Sequence, residues 1–125
     1  MKKPFEEWFL QSDYDFGTAE AMYDSGRYVY CVFMCHLAIE KALKALIVKR
    51  LEQVPSKTHN LIYLIESLAL SLPDEMFKIA YKLNDASIPT RYPDELYKVL
   101  NEFSRDVTFG LLNDTRRILE WIKKQ

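Results

Sequence analysis

Residues 27 to 54 contain neither glycine nor proline, and their apolar side chains recur at helical spacing from end to end. Val29, Val32, Phe33, His36, Ile39, Ala42, Leu43, Leu46 and Ile47 follow the i, i+3, i+4, i+7 pattern of a helix face. Closed by Gly26 on one side and Pro55 on the other, this stretch predicts a single long helix over Arg27 to Leu51. A helix apolar over so much of its circumference must be surrounded, so it becomes the central element of a helical bundle.

The flanking segments supply the surrounding helices. Pro4 to Asp24 carries Trp8, Leu10, Tyr14, Phe16, Ala19, Met22 and Tyr23 on a broad apolar face, and Ser25-Gly26 ends it. QVPSKT, residues 53–58, reads as a loop, and Asn60 to Leu70 as a third helix with Leu61, Leu64, Ile65 and Leu68 inward. Ser71-Leu72-Pro73-Asp74-Glu75 is a helix start, with a hydroxyl cap, an early proline and acids on the positive dipole end. That fourth helix is expected to fade near Asp85, before a second loop, ASIPTRYPDE. The last helix begins at Leu96 or Phe103 and runs to Lys123, with Leu100, Phe103, Val107, Leu111, Ile118 and Ile122 as its seam. Gly110 within it marks either a close helix contact or a weak point. With no sustained period-2 alternation, the expectation is all-α. The chain reads as one domain over residues 1–125, an up-and-down bundle of four-helix type with one additional short helix.

Charge and cysteine usage narrow the function classes. Lys+Arg number 17 against Asp+Glu 18, a net −1, which argues against a whole-molecule electrostatic grip on RNA or DNA. No run of 18 uncharged apolar residues exists, so no membrane span is expected, and Met-Lys-Lys-Pro is no secretion signal. A cytoplasmic location is the expectation. Cys31 and Cys35 stand one helical turn apart, where their side chains run alongside each other without converging as a disulfide requires. They read as buried free thiols, and no metal site or cofactor is expected.

The polar residues of the central helix have two readings. His36, Glu40 and Lys44, at i, i+4 and i+8 with Lys41 beside them, are either a solvated stripe or part of a site, with His36 a core histidine satisfied by a neighbour. Between residues 41 and 59, Lys41, Lys44, Lys49, Arg50 and Lys57 face Glu52 alone: five minus one, a local +4 to which His59 adds a titratable ring. Such a segment suits a phosphate, or is balanced by acids elsewhere. Arg91, between Pro89 and Pro93 on a stiffened loop and next to Tyr92 and Asp94, suits phosphate or base recognition, or ties the loop to a helix end.

Three motifs in order, HLAIEKALKAL, SKTHNL and RYPD, resemble the HEPN family, with the likeness running from about Glu6 to Ile122. The resemblance implies a small up-and-down helical bundle, often a homodimer, commonly encoded beside or fused to a minimal nucleotidyltransferase. Some such pairs behave as toxin and antitoxin, the HEPN member being a metal-independent ribonuclease. It also implies a polar cluster of Glu40, Lys41, Lys44, Lys57, His59, Arg91, Tyr92 and Asp94 that holds a nucleotide or a partner. The ribonuclease branch carries an arginine followed four to six residues later by a histidine, and that motif is absent here. Arg91 has no histidine after it, while Arg27 and Arg50 precede His36 and His59 by nine positions. The leading expectation is therefore a binding module with no assigned catalytic residue, paired with a nucleotidyltransferase and holding a nucleotide. An RNA endonuclease built on a His59–Arg91 pair in space and a purely structural homodimer are the alternatives.

Overall fold

The computed structural model describes residues 3–91 and 96–125, and the described residues form six helices and no strand. Helix α1 spans Pro4–Asp24, α2 Tyr28–Leu51, α3 Leu61–Ser67, α4 Asp74–Arg91, α5 Leu96–Glu102 and α6 Arg105–Lys123. The all-α expectation holds.

Helix α2 is the hub and packs on each of the other five helices. Fourteen of its residues are buried, from Val29 to Ile47, because apolar side chains occupy almost every direction around it. Helices α1 and α2 form an antiparallel hairpin about Gly26, whose φ of 76° is one that a residue with a Cβ rarely adopts. The hairpin is pinned by Ser12, whose hydroxyl donates to the Ala38 carbonyl at 2.7 Å, and by Lys49 set over the Phe5 ring. Helix α6 runs alongside α2 in the same direction, its end tied by Arg50 donating to the Gln125 carbonyl. It runs opposite to α1, with Arg116 on Glu20 and Lys123 on Asp13. Leu111, Leu112, Ile118, Leu119 and Ile122 of α6 close the core.

Several boundaries differ from expectation, each for a local reason. Helix α4 does not fade near Asp85 but continues through Pro89 to Arg91, so residues 86–91 are helix and not loop. Proline removes one backbone donor there, the one that would reach the Asp85 carbonyl. Neighbouring carbonyls are covered by side-chain hydroxyls, Thr90 on Ala86 and Ser87 on Asn84, both at 2.7 Å. Helix α3 stops at Ser67, because Ala69 takes a left-handed φ of 50° and Leu70 N–H turns back to the Ile65 carbonyl. The last segment is two helices, since Ser104 interrupts it and caps α6 by accepting from Val107 N–H. Leu10, Tyr14, Leu100 and Val107, expected on apolar seams, are exposed. In α1 the buried stripe is Ser12, Asp15, Phe16 and Ala19, and it passes to one side of Tyr14. A Cβ at Gly110 would meet nothing within 4 Å, so no close helix contact explains that glycine.

Candidate functional site

Chain geometry explains how the QVPSKT loop comes back onto α2. From Glu52, where α2 ends in a left-handed turn, to Glu40 is twelve residues, about 18 Å along a helix. The seven residues 53–59 reach at most about 25 Å when extended. The loop therefore runs nearly straight back along the helix and delivers His59 beside Glu40. Small side chains brace it: Ser56 Oγ accepts from Thr58 N–H and Thr58 Oγ1 from Asn60 N–H. Asn60 caps α3 by accepting from the Ile62 and Tyr63 N–H groups. Asn84 of α4 then locks the junction, taking the Leu61 N–H at 2.8 Å and donating to Asn60. Seven residues past Asn84 is Arg91, almost two full turns on, so the helix face that anchors the loop also presents Arg91 to it.

At the centre lies the carboxylate of Glu40, 3% exposed, with both oxygens engaged. Oε1 lies 2.8 Å from His59 Nδ1, and Oε2 accepts from Lys44 Nζ at 3.1 Å. A buried carboxylate is tolerated because these two donors replace its water, and removing either would leave charge stranded in a poorly solvated place. The chain of contacts continues outward. Arg91 Nη1 stands 3.3 Å from His59 Nε2, and the guanidinium carbon lies 4.8 Å from the Phe33 ring centre, a cation–π seat. The outer edge of His59 is open, its side chain 55% exposed, while Arg91 Nη2 is buried with no hydrogen-bond partner among the described residues. The arrangement is a carboxylate at the bottom, an imidazole above it and a guanidinium at its outer nitrogen.

His36, one turn before Glu40, is fully buried, and neither ring nitrogen has a hydrogen-bond partner among the described residues. Its Nδ1 is 3.9 Å from Glu40 Oε1, too long for a hydrogen bond. The expectation of a histidine satisfied by a neighbour is thus corrected, since His59 has taken that carboxylate oxygen. Burial pushes the His36 pKa down to about 4, against the pull of Glu40 and of the His59 backbone toward the charged form.

Of the eight residues expected to cluster, Glu40, Lys44, His59 and Arg91 come together in contact. Lys57, exposed on the same loop, makes no ion pair with the described residues. Lys41 does not join them, because it turns to α1 and pairs with Asp15 at 2.8 Å. Tyr92 and Asp94 lie outside the described residues. The stiff-loop reading of Arg91 is replaced by a helix-borne one, since it is the last residue of α4. Sequence reasoning missed Phe33 as the seat of the guanidinium and Asn84 as the anchor. The seven-residue spacing from Asn84 to Arg91 was the available signal. Cys31 and Cys35 are free and buried, and a shared hydrogen bond together with burial pushes the Cys31 thiol far above its ordinary range. The described residues include no group of three or more His, Cys, Asp or Glu placed to hold a metal, and none of their helices is long and apolar enough to cross a membrane.

The family model for the HEPN domain matches residues 5–125. Among solved structures the chain is similar to TT1696 from Thermus thermophilus, with 25% identity and a TM-score of 0.85 over 98% of each chain. It is also similar to ST0689, an archaeal HEPN homologue, with 25% identity and a TM-score of 0.77 over 99% of this chain and 98% of that one. No curated protein matches the sequence.

Proposed function

The chain belongs to the HEPN domain family, and on that premise we propose that it is a binding module whose His59–Arg91 edge receives the phosphate of a nucleotide. The observation that carries this reading is the chain of contacts from Glu40 through His59 to Arg91. Glu40 fixes the ring plane and Phe33 fixes the guanidinium plane, so two directional groups are pre-set at a half-exposed edge, with Lys57 on the adjoining loop. A planar guanidinium held in this way recognises phosphate oxygens in pairs. Pre-setting lowers the ordering cost that otherwise weakens such contacts.

Calorimetry with ATP tests it. Millimolar or tighter affinity is expected, with a loss of tenfold or more in Arg91→Ala, the scale of one charge-assisted hydrogen bond. No heat with any nucleotide at millimolar concentration would remove the nucleotide role.

Partnership is the second half of the proposal. Family membership supports pairing with a minimal nucleotidyltransferase in a two-component, toxin–antitoxin-like system, and self-association as a homodimer. Apolar side chains left exposed on α4 and α5, including Tyr81, Ile88 and Tyr97, offer a surface for either. A tagged pull-down from the native host checks the first association.

One observation favours a second reading, a metal-independent RNA endonuclease. The motif spacing is absent, yet the fold sets a histidine and an arginine 3.3 Å apart over a carboxylate, the elements needed to accept a 2′-hydroxyl proton and steady a strained phosphate. Cleavage of RNA in the presence of a chelator, lost in His59→Ala, is the outcome that reading requires.

A further inference from the structure

The hydrogen bonds around His59 fix the state of its ring. A carboxylate oxygen only accepts, so the 2.8 Å contact with Glu40 Oε1 requires a proton on Nδ1. A guanidinium only donates, so the 3.3 Å contact with Arg91 Nη1 requires a lone pair on Nε2. In this arrangement His59 is the neutral Nδ1–H tautomer, and its one lone pair is directed at Arg91.

That lone pair opposes the ligand proposed above. A phosphate oxygen brought to this edge is itself an acceptor. It draws the Arg91 N–H groups toward itself, and without a further change it then faces the bare lone pair of Nε2. The opposition disappears if Nε2 gains a proton, because the ring then donates at both ends, to Glu40 below and to the phosphate above.

Resting on the phosphate reading, we infer that anion capture at this site is coupled to the uptake of one proton by His59. The balance is simple: one proton leaves solvent and forms an N–H bond at Nε2, while Arg91 exchanges an imidazole acceptor for a phosphate oxygen. No covalent bond to the ligand forms. The titratable groups around the ring are Glu40, Lys44 and the neutral His36 from α2 and Arg91 from α4, and Lys57 stands exposed two residues before it on its own loop. Three of these are cations, and the carboxylate of Glu40 is shared between His59 and Lys44. An arriving phosphate adds negative charge beside Nε2 and so favours a proton there. The site then discriminates on charge as well as shape, and its grip weakens as pH rises.

The test is calorimetry of the full chain with ATP near pH 8, where the terminal phosphate, with a pKa of about 6, holds no proton of its own. Titrations in two buffers of different ionisation enthalpy give the number of protons exchanged. The expected result is uptake approaching one proton per ATP, with Kd rising by up to tenfold per pH unit between pH 7.5 and 8.5. In His59→Gln nothing at this position titrates, so whatever ATP binding remains, weakened or not, is expected to proceed with no net uptake. Heat in the wild-type protein that does not depend on the buffer would overturn the inference and leave the phosphate reading standing. Uptake persisting in His59→Gln would overturn it by moving the proton elsewhere. Absence of heat in the wild-type protein would overturn the phosphate reading itself. The buffer comparison needs no variant, so it decides the matter even if His59→Gln folds poorly.

Discussion

Glu40 and His36 sit one turn apart on α2, both buried, and their situations are opposite. Glu40 has two donors, whereas His36 has no hydrogen-bond partner among the described residues. A buried ring with unused polar atoms costs stability, and such defects persist most often where a site needs them. With its pKa held at about 4, His36 binds a proton less readily folded than unfolded, where the ordinary value is 6.5. Its contribution to stability is therefore complete above pH 6.5 and is lost as the pH falls toward 4. The linked loss across that window is of the order of 3 kcal/mol. His36→Leu is expected to be at least as stable as wild type at pH 7.5 and to lose less stability on acidification, measured by urea denaturation at several pH values. An identical pH dependence in the two proteins would show that His36 does not titrate as its burial requires.

At the scale of single elements, α4 determines the site. Its continuation through Pro89 converts Arg91 from a loop residue into a helix residue, in register with Asn84. Replacing Pro89 restores a backbone donor for the Asp85 carbonyl, while the unfolded chain gains freedom that partly offsets it. Pro89→Ala is accordingly expected to stabilise the protein by about 1 kcal/mol, without weakening ligand binding, since the helical placement of Arg91 is retained. Thermal melting and calorimetry together check this. A loss of binding at unchanged stability would mean that the proline sets the angle of the last turn. The Asn60 cap has the opposite sign, because it serves two N–H groups of α3 and a side-chain contact from Asn84.

Across the whole molecule, exposed apolar side chains occur on several helices, and α4 and α5 each carry three of them. Phe77, Tyr81 and Ile88 of α4 stand on one side of that helix, and Leu96, Tyr97 and Leu100 of α5 are exposed as well. Arg91 flanks the α4 strip, which places the candidate site at its margin. If this surface is where two copies meet, Tyr81→Glu combined with Ile88→Glu gives a monomer in light scattering, with helix content unchanged because both positions point away from the core. An unaltered dimer would relocate the interface, and a monomeric wild-type protein would reserve the surface for another partner.

Much of this was legible in the sequence. The α2 pattern is so continuous that only a buried helix satisfies it, and the identity of that helix demands a bundle around it. Glu40, Lys44, His59 and Arg91 were identifiable as residue types in motifs, as was the absence of the spaced arginine–histidine pair. Contact between residues 19 and 32 positions apart, as from Glu40 to His59 and from His59 to Arg91, was not, because nothing local encodes it. It arises when an extended loop is laid back on α2 and locked to α4. The same limit explains Lys41, whose spacing from Glu40 and Lys44 suggested company but whose helix direction points it to Asp15 on α1. Periodicity records which side of a helix is apolar; only packing decides which polar side chains meet, and which, like that of His36, find no hydrogen-bond partner among the described residues.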